Sequence, residues 1–135
     1  MKTKIPIWIN ILQVLILAIL TFQTYASYFN PSLLSPGLVV NSASAKIIYT
    51  LAGRNAVMMI ISLVALIRQD ARFYSFAFLM HSLRELQDMF IVPLTGEPGT
   101  QAIAIFFVFL IVFVIPEITA YLKLNKLANQ MENHL

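Results

Sequence analysis

Four long apolar runs dominate this chain of 135 residues. A helix rises about 1.5 Å per residue, so about 20 apolar residues suffice to cross a hydrocarbon layer about 30 Å thick. Hydrophobic residues make up 59% of the chain and charged residues only 11%, which is far from the soluble average. We therefore predict an all-α fold, an integral membrane four-helix bundle in a single domain, 1–135. The predicted helices cover about residues 5–25, 44–67, 72–92 and 101–122.

The longest predicted connection covers about residues 26–43. It contains Asn30-Pro31 and Pro36-Gly37, which disfavour an uninterrupted helix. Its remaining residues are largely apolar, so we expect it to lie at the outer membrane surface or to fold over the mouth of the bundle. Polar residues at 41–44 are candidates to cap the second helix. We expect the third helix to end at Pro93, and residues 123–135 to form a polar tail in water.

The positions of lysine and arginine predict the topology, because basic residues concentrate on the cytoplasmic side of membrane proteins. Only Lys46 lies near the other side of a four-pass arrangement. Both termini are therefore predicted to be cytoplasmic. The basic residues on the inner flanks are Lys2, Lys4, Arg68, Arg72, Lys123 and Lys126.

A polar stripe interrupts the third apolar run. Its members fall within an arc of roughly 100° on a helix, so they face the same way. Charged groups at bilayer depth cost about 2.5 to 3.5 kcal/mol on insertion scales, so we expect them to face a bundle interior or a water-filled cavity. The stripe consists of His81, Arg84, Glu85 and Asp88.

Arg54 and Asn55 of the second helix lie at the same predicted depth as Arg84, Glu85 and Asp88. The two arginines and the two acids cancel in charge. Three interpretations stay open: a structural core of ion pairs, a site in which the arginines hold a polar or zwitterionic head group, and acid–base chemistry. The polar residues of the first helix at a comparable level are Thr21 and Gln23.

Glu117 follows Pro116 in the fourth predicted helix, about five residues from its cytoplasmic end. That position separates it from the outer polar group in a straight four-helix arrangement. We therefore expect its side chain to reach the membrane interface, with a proton-linked role as the alternative. Gln13 of the first helix lies near the same depth and could hydrogen-bond to it.

Several kinds of chemistry find no support in the sequence. It contains no cysteine and only two widely separated histidines, so no metal site is predicted. No phosphate loop, GxSxG, HExxH or dinucleotide motif occurs. We predict no cofactor and no nucleic-acid partner.

The chain resembles small bacterial four-helix membrane families of unknown function, in the broad DoxX-like group. The resemblance covers about residues 45–122 and rests on Gly53-Arg54-Asn55, on the Asp70/Arg72 turn, and on Arg84 with Asp88. It implies a multi-pass protein of the bacterial inner (cytoplasmic) membrane, with Arg54, Asn55 and Asp88 as the matched polar positions. It implies no reaction, and it does not extend to the long first connection.

We predict a non-catalytic membrane protein whose outward-facing polar pocket binds a small amphipathic molecule or stabilises a membrane partner subunit. One alternative is a membrane-embedded isomerase or cyclase for a lipid-like substrate, in which a buried carboxylic acid donates a proton. The other is a proton-coupled small-molecule carrier. The lipid bilayer is a predicted partner, and a homo-oligomer is compatible with the sequence. The expected binding residues are Arg54, Asn55, His81, Arg84, Glu85 and Asp88, and the catalytic candidates are Glu85, Asp88 and His81.

Overall fold

The computed structural model describes residues 5–34, 40–95 and 106–132. These residues are almost all helical and include no strand, so the predicted all-α class is confirmed. Three helices are α1 (Ile7–Phe29), α2 (Ser42–Arg68) and α3 (Ala71–Thr95). The fourth, α4, is helical from residue 106, has a π-helical segment at Leu110–Val114, and continues as an α-helix over Ile115–Glu132.

Three of these helices are long and apolar enough to cross a membrane. The spans are Ile7–Phe29, Ser44–Arg68 and Phe106–Gln130. The remaining helix, α3, has 25 residues and is also long enough, but its charged side chains make it more polar than the other three. Large apolar side chains stay exposed on the other helices, including Ile7 at 78% and Ile67 at 73%. These features indicate a membrane protein, because a bilayer would cover such surfaces.

Several helix ends lie beyond their predicted positions. The first helix continues past residue 25 and stops only where Asn30 precedes a proline, a position that disfavours helical backbone. The expectation that the third helix ends at Pro93 is wrong, because α3 continues to Thr95. The fourth helix continues through most of the predicted tail. Leu124 and Ala128, four residues apart, are buried there and give that segment an apolar face.

The ends of α2 and α3 have side-chain caps. The Ser44 amide donates to Asn41 Oδ1 and the Asn41 amide donates to Ser44 Oγ, both at 2.9 Å. This reciprocal capping box confirms that the second helix is capped within residues 41–44. Asp70 caps α3 by accepting a hydrogen bond from the Phe73 amide at 2.9 Å. The preceding Gln69 has a positive φ of 49°, which turns the chain out of α2.

The chain folds as two compact units, each an antiparallel pair of helices. The first unit, Pro6–Arg68, contains α1 and α2. The side-chain contacts show the antiparallel arrangement, because residues later in α1 contact residues earlier in α2. They join Thr21 to Met59, Gln23 to Asn55, and Tyr28 to Tyr49.

The second unit, which includes α3 and α4, contains the chain from Gln69 onward. The Ser75 hydroxyl donates to the Tyr121 carbonyl at 3.4 Å, and Ser82 lies within hydrogen-bonding reach of Glu117. These contacts run in opposite directions along the two helices. Small side chains on both helices are buried, which lets the two backbones approach closely. The buried alanines are Ala71, Ala77, Ala120 and Ala128.

Candidate functional site

One face of α3 buries polar as well as apolar side chains. Its buried positions recur every three or four residues, the spacing of one helix face. His81 is fully buried and Glu85 is 4% exposed, whereas Arg84 and Asp88, at the edge of this face, are less completely buried. The predicted stripe therefore divides into two members on the packed face and two beside it. The buried positions of α3 are Ala71, Tyr74, Ser75, Ala77, Phe78, His81, Ser82, Glu85 and Met89.

Arg84 and Glu85 are neighbours in sequence and their side chains are in direct contact. Nη2 of the guanidinium meets Oε1 of the carboxylate. The Arg84 side chain is 9% exposed and that of Glu85 is 5% exposed, so the contact is largely shielded from solvent. Pairing of this kind offsets the desolvation of both charges.

Glu117 of α4 lies close to the polar residues of α3. It is 1% exposed, and it is near enough to Ser82 for a hydrogen bond and to Arg84 for electrostatic attraction. The expectation that its side chain reaches out to the interface is therefore wrong. The predicted depth assumed that the helix ends near residue 122, whereas α4 extends to Glu132 and leaves Glu117 well inside it.

The backbone just before Glu117 departs from α-helical geometry. The Ile115 amide donates to the Leu110 carbonyl, five residues back, which defines a π turn. Pro116 follows and has no amide hydrogen to continue the helical ladder. The extra residue of a π turn rotates the flanking helical segments by about 100° relative to each other.

Glu117 occupies a core position of α4. From the end of the π turn onward, the buried positions follow helical spacing along one face. An apolar side chain would be expected at the second of them, and the chain places a carboxyl group there instead. These positions are Val114, Glu117, Ala120, Leu124 and Ala128.

The hydrogen bonding of Glu117 is incomplete. Its Oε2 atom is buried and has no hydrogen-bond partner among the described residues. The nearby Ser82 hydroxyl does not fully meet this need, because it lies 2.9 Å from the Phe78 carbonyl, which also accepts a hydrogen bond. A hydroxyl has one proton, so Ser82 donates either to that carbonyl or to Glu117. A buried carboxylate oxygen without a partner is costly and calls for a physical explanation.

These residues of the second unit form one polar group, which we name the hairpin cluster. It combines one guanidinium with two carboxyl groups, an imidazole and a hydroxyl. The sequence-based site contains three of its five members and lacks Ser82 and Glu117. The hairpin cluster consists of His81, Ser82, Arg84, Glu85 and Glu117.

The other predicted site residues lie elsewhere. Asn55 is 8% exposed and donates from Nδ2 to Gln23 Oε1 at 3.3 Å, which agrees with the common level predicted for these residues. Arg54 is half-buried in the first unit. Its predicted pairing with an acid of α3 would join the two units and stays a prediction. Asp88 is half-buried one turn after Arg84.

Gln13 of α1 is a buried polar residue on a largely apolar helix. It is fully buried, and neither amide atom has a hydrogen-bond partner in the part of the chain that the structure describes. Its predicted hydrogen bond to Glu117 stays a prediction. Its presence on an apolar helix was visible in the sequence, but its burial depends on packing.

Comparisons with protein-family models, with curated proteins and with solved structures found no match to this chain. The resemblance to the DoxX-like group therefore stays a prediction.

Proposed function

We propose that this chain is a four-pass protein of a bacterial cytoplasmic membrane, with all four helices in one bundle and both termini in the cytoplasm. Three helices have the length and composition of membrane spans, and α3 has the length. The polar residues His81 and Glu85 lie on the packed face of α3, where they would be shielded from lipid. The distribution of basic residues supports the orientation.

Within that topology, the function assigned to the hairpin cluster is the binding of a small amphipathic molecule. The observation that carries this proposal is the buried Glu117 Oε2 atom, which lacks a hydrogen-bond partner among the described residues. A polar core that serves only to hold helices together is favourable when every buried atom is satisfied. An incompletely satisfied carboxyl group on a packed helix face is better explained as one that meets a ligand.

A triple variant tests this function. Arg84→Leu, Glu85→Leu and Glu117→Leu together remove the charges of the hairpin cluster and replace them with apolar side chains. Replacing a complete buried ionic network is often neutral or stabilising, so we expect the variant to fold. The full chain and the variant would be purified from membranes, and the small molecules that accompany each would be identified by mass spectrometry.

The proposal expects a molecule retained by the native chain and lost from the folded triple variant. Asp70→Asn is the matched control, because asparagine preserves the α3 cap while removing a carboxylate outside the hairpin cluster. Equal retention by the native chain and the triple variant would contradict the binding function and favour a role in packing or assembly.

A proton-coupled carrier is the second candidate function, and the π turn beside Pro116 favours it. Departures from the α-helical ladder are the usual places for helices to bend, and this one immediately precedes a buried carboxyl group. A carrier needs access to its site from both sides of the membrane. Uptake of the retained molecule into vesicles that contain the purified chain would test this, with and without an imposed proton gradient. Uptake that is independent of the gradient would count against proton coupling.

A further inference from the structure

We infer that the hairpin cluster accepts a hydrophobic organic cation and that the Glu117 carboxylate is the group that holds its positive centre. This inference rests on the proposed binding function and adds the chemical class of the ligand. It depends on the charges of the hairpin cluster, on their existing contacts and on the apolar surroundings.

The balance of charge in the hairpin cluster favours a cation. One guanidinium faces two carboxyl groups, so with histidine neutral the formal charge is negative when Glu117 is ionised together with Glu85. Arg84 is in contact with Glu85, and it also attracts Glu117 from nearby. A cation bound at Glu117 would complete the compensation of the second carboxylate.

The contact between Arg84 and Glu85 also disfavours an anion. An anionic group at the guanidinium would share its positive charge with a carboxylate already in contact with Nη2. Binding of such an anion would weaken the pairing of Arg84 with Glu85, and Glu85 is only 4% exposed. Losing one partner of a buried pair is strongly unfavourable. A cation meets no such competition at the Oε2 atom of Glu117.

The composition of the packed α3 face favours a cation with an apolar body. Phe78 and Tyr74 are fully buried on the same face of α3 as Ser82, and their ring centroids lie 6.3 Å apart. Aromatic faces attract cations, and the attraction increases when water is excluded. A bare divalent ion prefers six or more oxygen ligands, whereas Glu117 offers one carboxylate oxygen without a partner. An ammonium or phosphonium centre with apolar substituents fits these features better.

Two probes of opposite charge and closely similar shape test the inference on the native chain. Tetraphenylphosphonium and tetraphenylborate differ mainly in the sign of their charge. Equilibrium dialysis of the full chain in a neutral detergent at pH 9, where a buried carboxyl group is more fully ionised than at pH 7, would measure both affinities. We expect the dissociation constant of tetraphenylphosphonium to be lower than that of tetraphenylborate by about tenfold or more. This difference corresponds to one charge-assisted contact that only the cation makes.

Substitutions at Glu117 locate the binding group. Glu117→Gln keeps the shape of the side chain and removes its charge, and we expect it to weaken tetraphenylphosphonium binding about tenfold or more. Glu117→Asp keeps the charge on a shorter side chain and should retain part of the affinity. Asp70→Asn should leave the affinity unchanged. Circular dichroism and thermal unfolding would show that each variant is folded.

The outcomes separate this inference from the proposed function. Tighter binding of tetraphenylborate would overturn the cation inference while leaving an amphipathic site in place. Unchanged tetraphenylphosphonium affinity in folded Glu117→Gln would also overturn it. Binding of neither probe would overturn the inference, and the retention experiment on the triple variant would then decide the proposed function by itself. If Glu117→Gln fails to fold, the comparison of the two probes on the native chain and Glu117→Asp still decides.

Discussion

The Ile115 amide donates its hydrogen bond to the Leu110 carbonyl, five residues back, instead of to the carbonyl four residues back. Pro116 follows immediately, and Glu117 then occupies a buried position on the packed face of α4. The π turn therefore determines which residues before it lie on the same side of α4 as Glu117. A regular α-helix through this segment would rotate that alignment by about 100°.

Pro116→Ala should therefore separate stability from binding. Alanine restores an amide donor and relieves a proline penalty that reaches about 3 kcal/mol in a helix interior, so we expect equal or higher thermal stability. A regular helix there would shift the residues before Glu117, so we expect weaker tetraphenylphosphonium binding. Thermal unfolding and dialysis on the same sample would measure both. A less stable variant with unchanged affinity would contradict this account of the π turn.

Arg84→Leu should destabilise the chain by about 3 to 5 kcal/mol, because it leaves the buried Glu85 without the guanidinium that it contacts. The double variant Arg84→Leu with Glu85→Leu should recover much of this loss, since neither charge then remains unpaired. Denaturant titration in mixed micelles would give the unfolding free energies. Additive losses in the double variant would show that the two side chains act independently.

Asn55→Leu should destabilise the first unit by about 0.6 to 2 kcal/mol, the range measured for hydrogen bonds between membrane helices. The substitution removes the donor that Gln23 Oε1 accepts from. Gln23→Leu combined with Asn55→Leu should be less harmful than the sum of the single changes. The same titration supplies the comparison. A strictly additive pair would mean that this contact contributes little to stability.

The proposed topology predicts a cytoplasmic C-terminus. A fluorescent protein fused after residue 135 should fluoresce, because it folds in the cytoplasm. Alkaline phosphatase at the same position should be inactive, because it requires the periplasm. The same two fusions placed within the predicted outer connection, at about residue 36, serve as the control and should give the reverse pattern. An active phosphatase at the C-terminus would refute the orientation.

Helix content and most helix positions could be predicted from the apolar runs and the capping residues. The reciprocal contacts of Asn41 and Ser44 follow from short-range chemistry, so a local pattern was sufficient there. The end of α4 could not be predicted in this way. Residues after Lys123 look polar as a group, and only their packing shows that Leu124 and Ala128 form a buried face.

The candidate site could be predicted only in part, because some of its residues share a local pattern and others are brought together by packing. His81, Arg84 and Glu85 share a stripe on one helix, which periodicity reveals. Glu117 belongs to another helix, and its place depends on a π turn that shifts the helical register by one residue. Neither the true length of α4 nor that shift can be counted from apolar runs. A proline directly before an acid inside an apolar run was the signal available in the sequence.

In the proposed topology, the length of α4 makes bilayer thickness a physical variable for this protein. The span Phe106–Gln130 has 25 residues, or about 38 Å of helix, which exceeds a hydrocarbon layer of about 30 Å. Such a helix must tilt, protrude or thicken the bilayer locally, and each response has a modest cost per ångström of mismatch. Lipids with longer or shorter chains would therefore change the depth of Glu117 below the membrane surface without altering any residue.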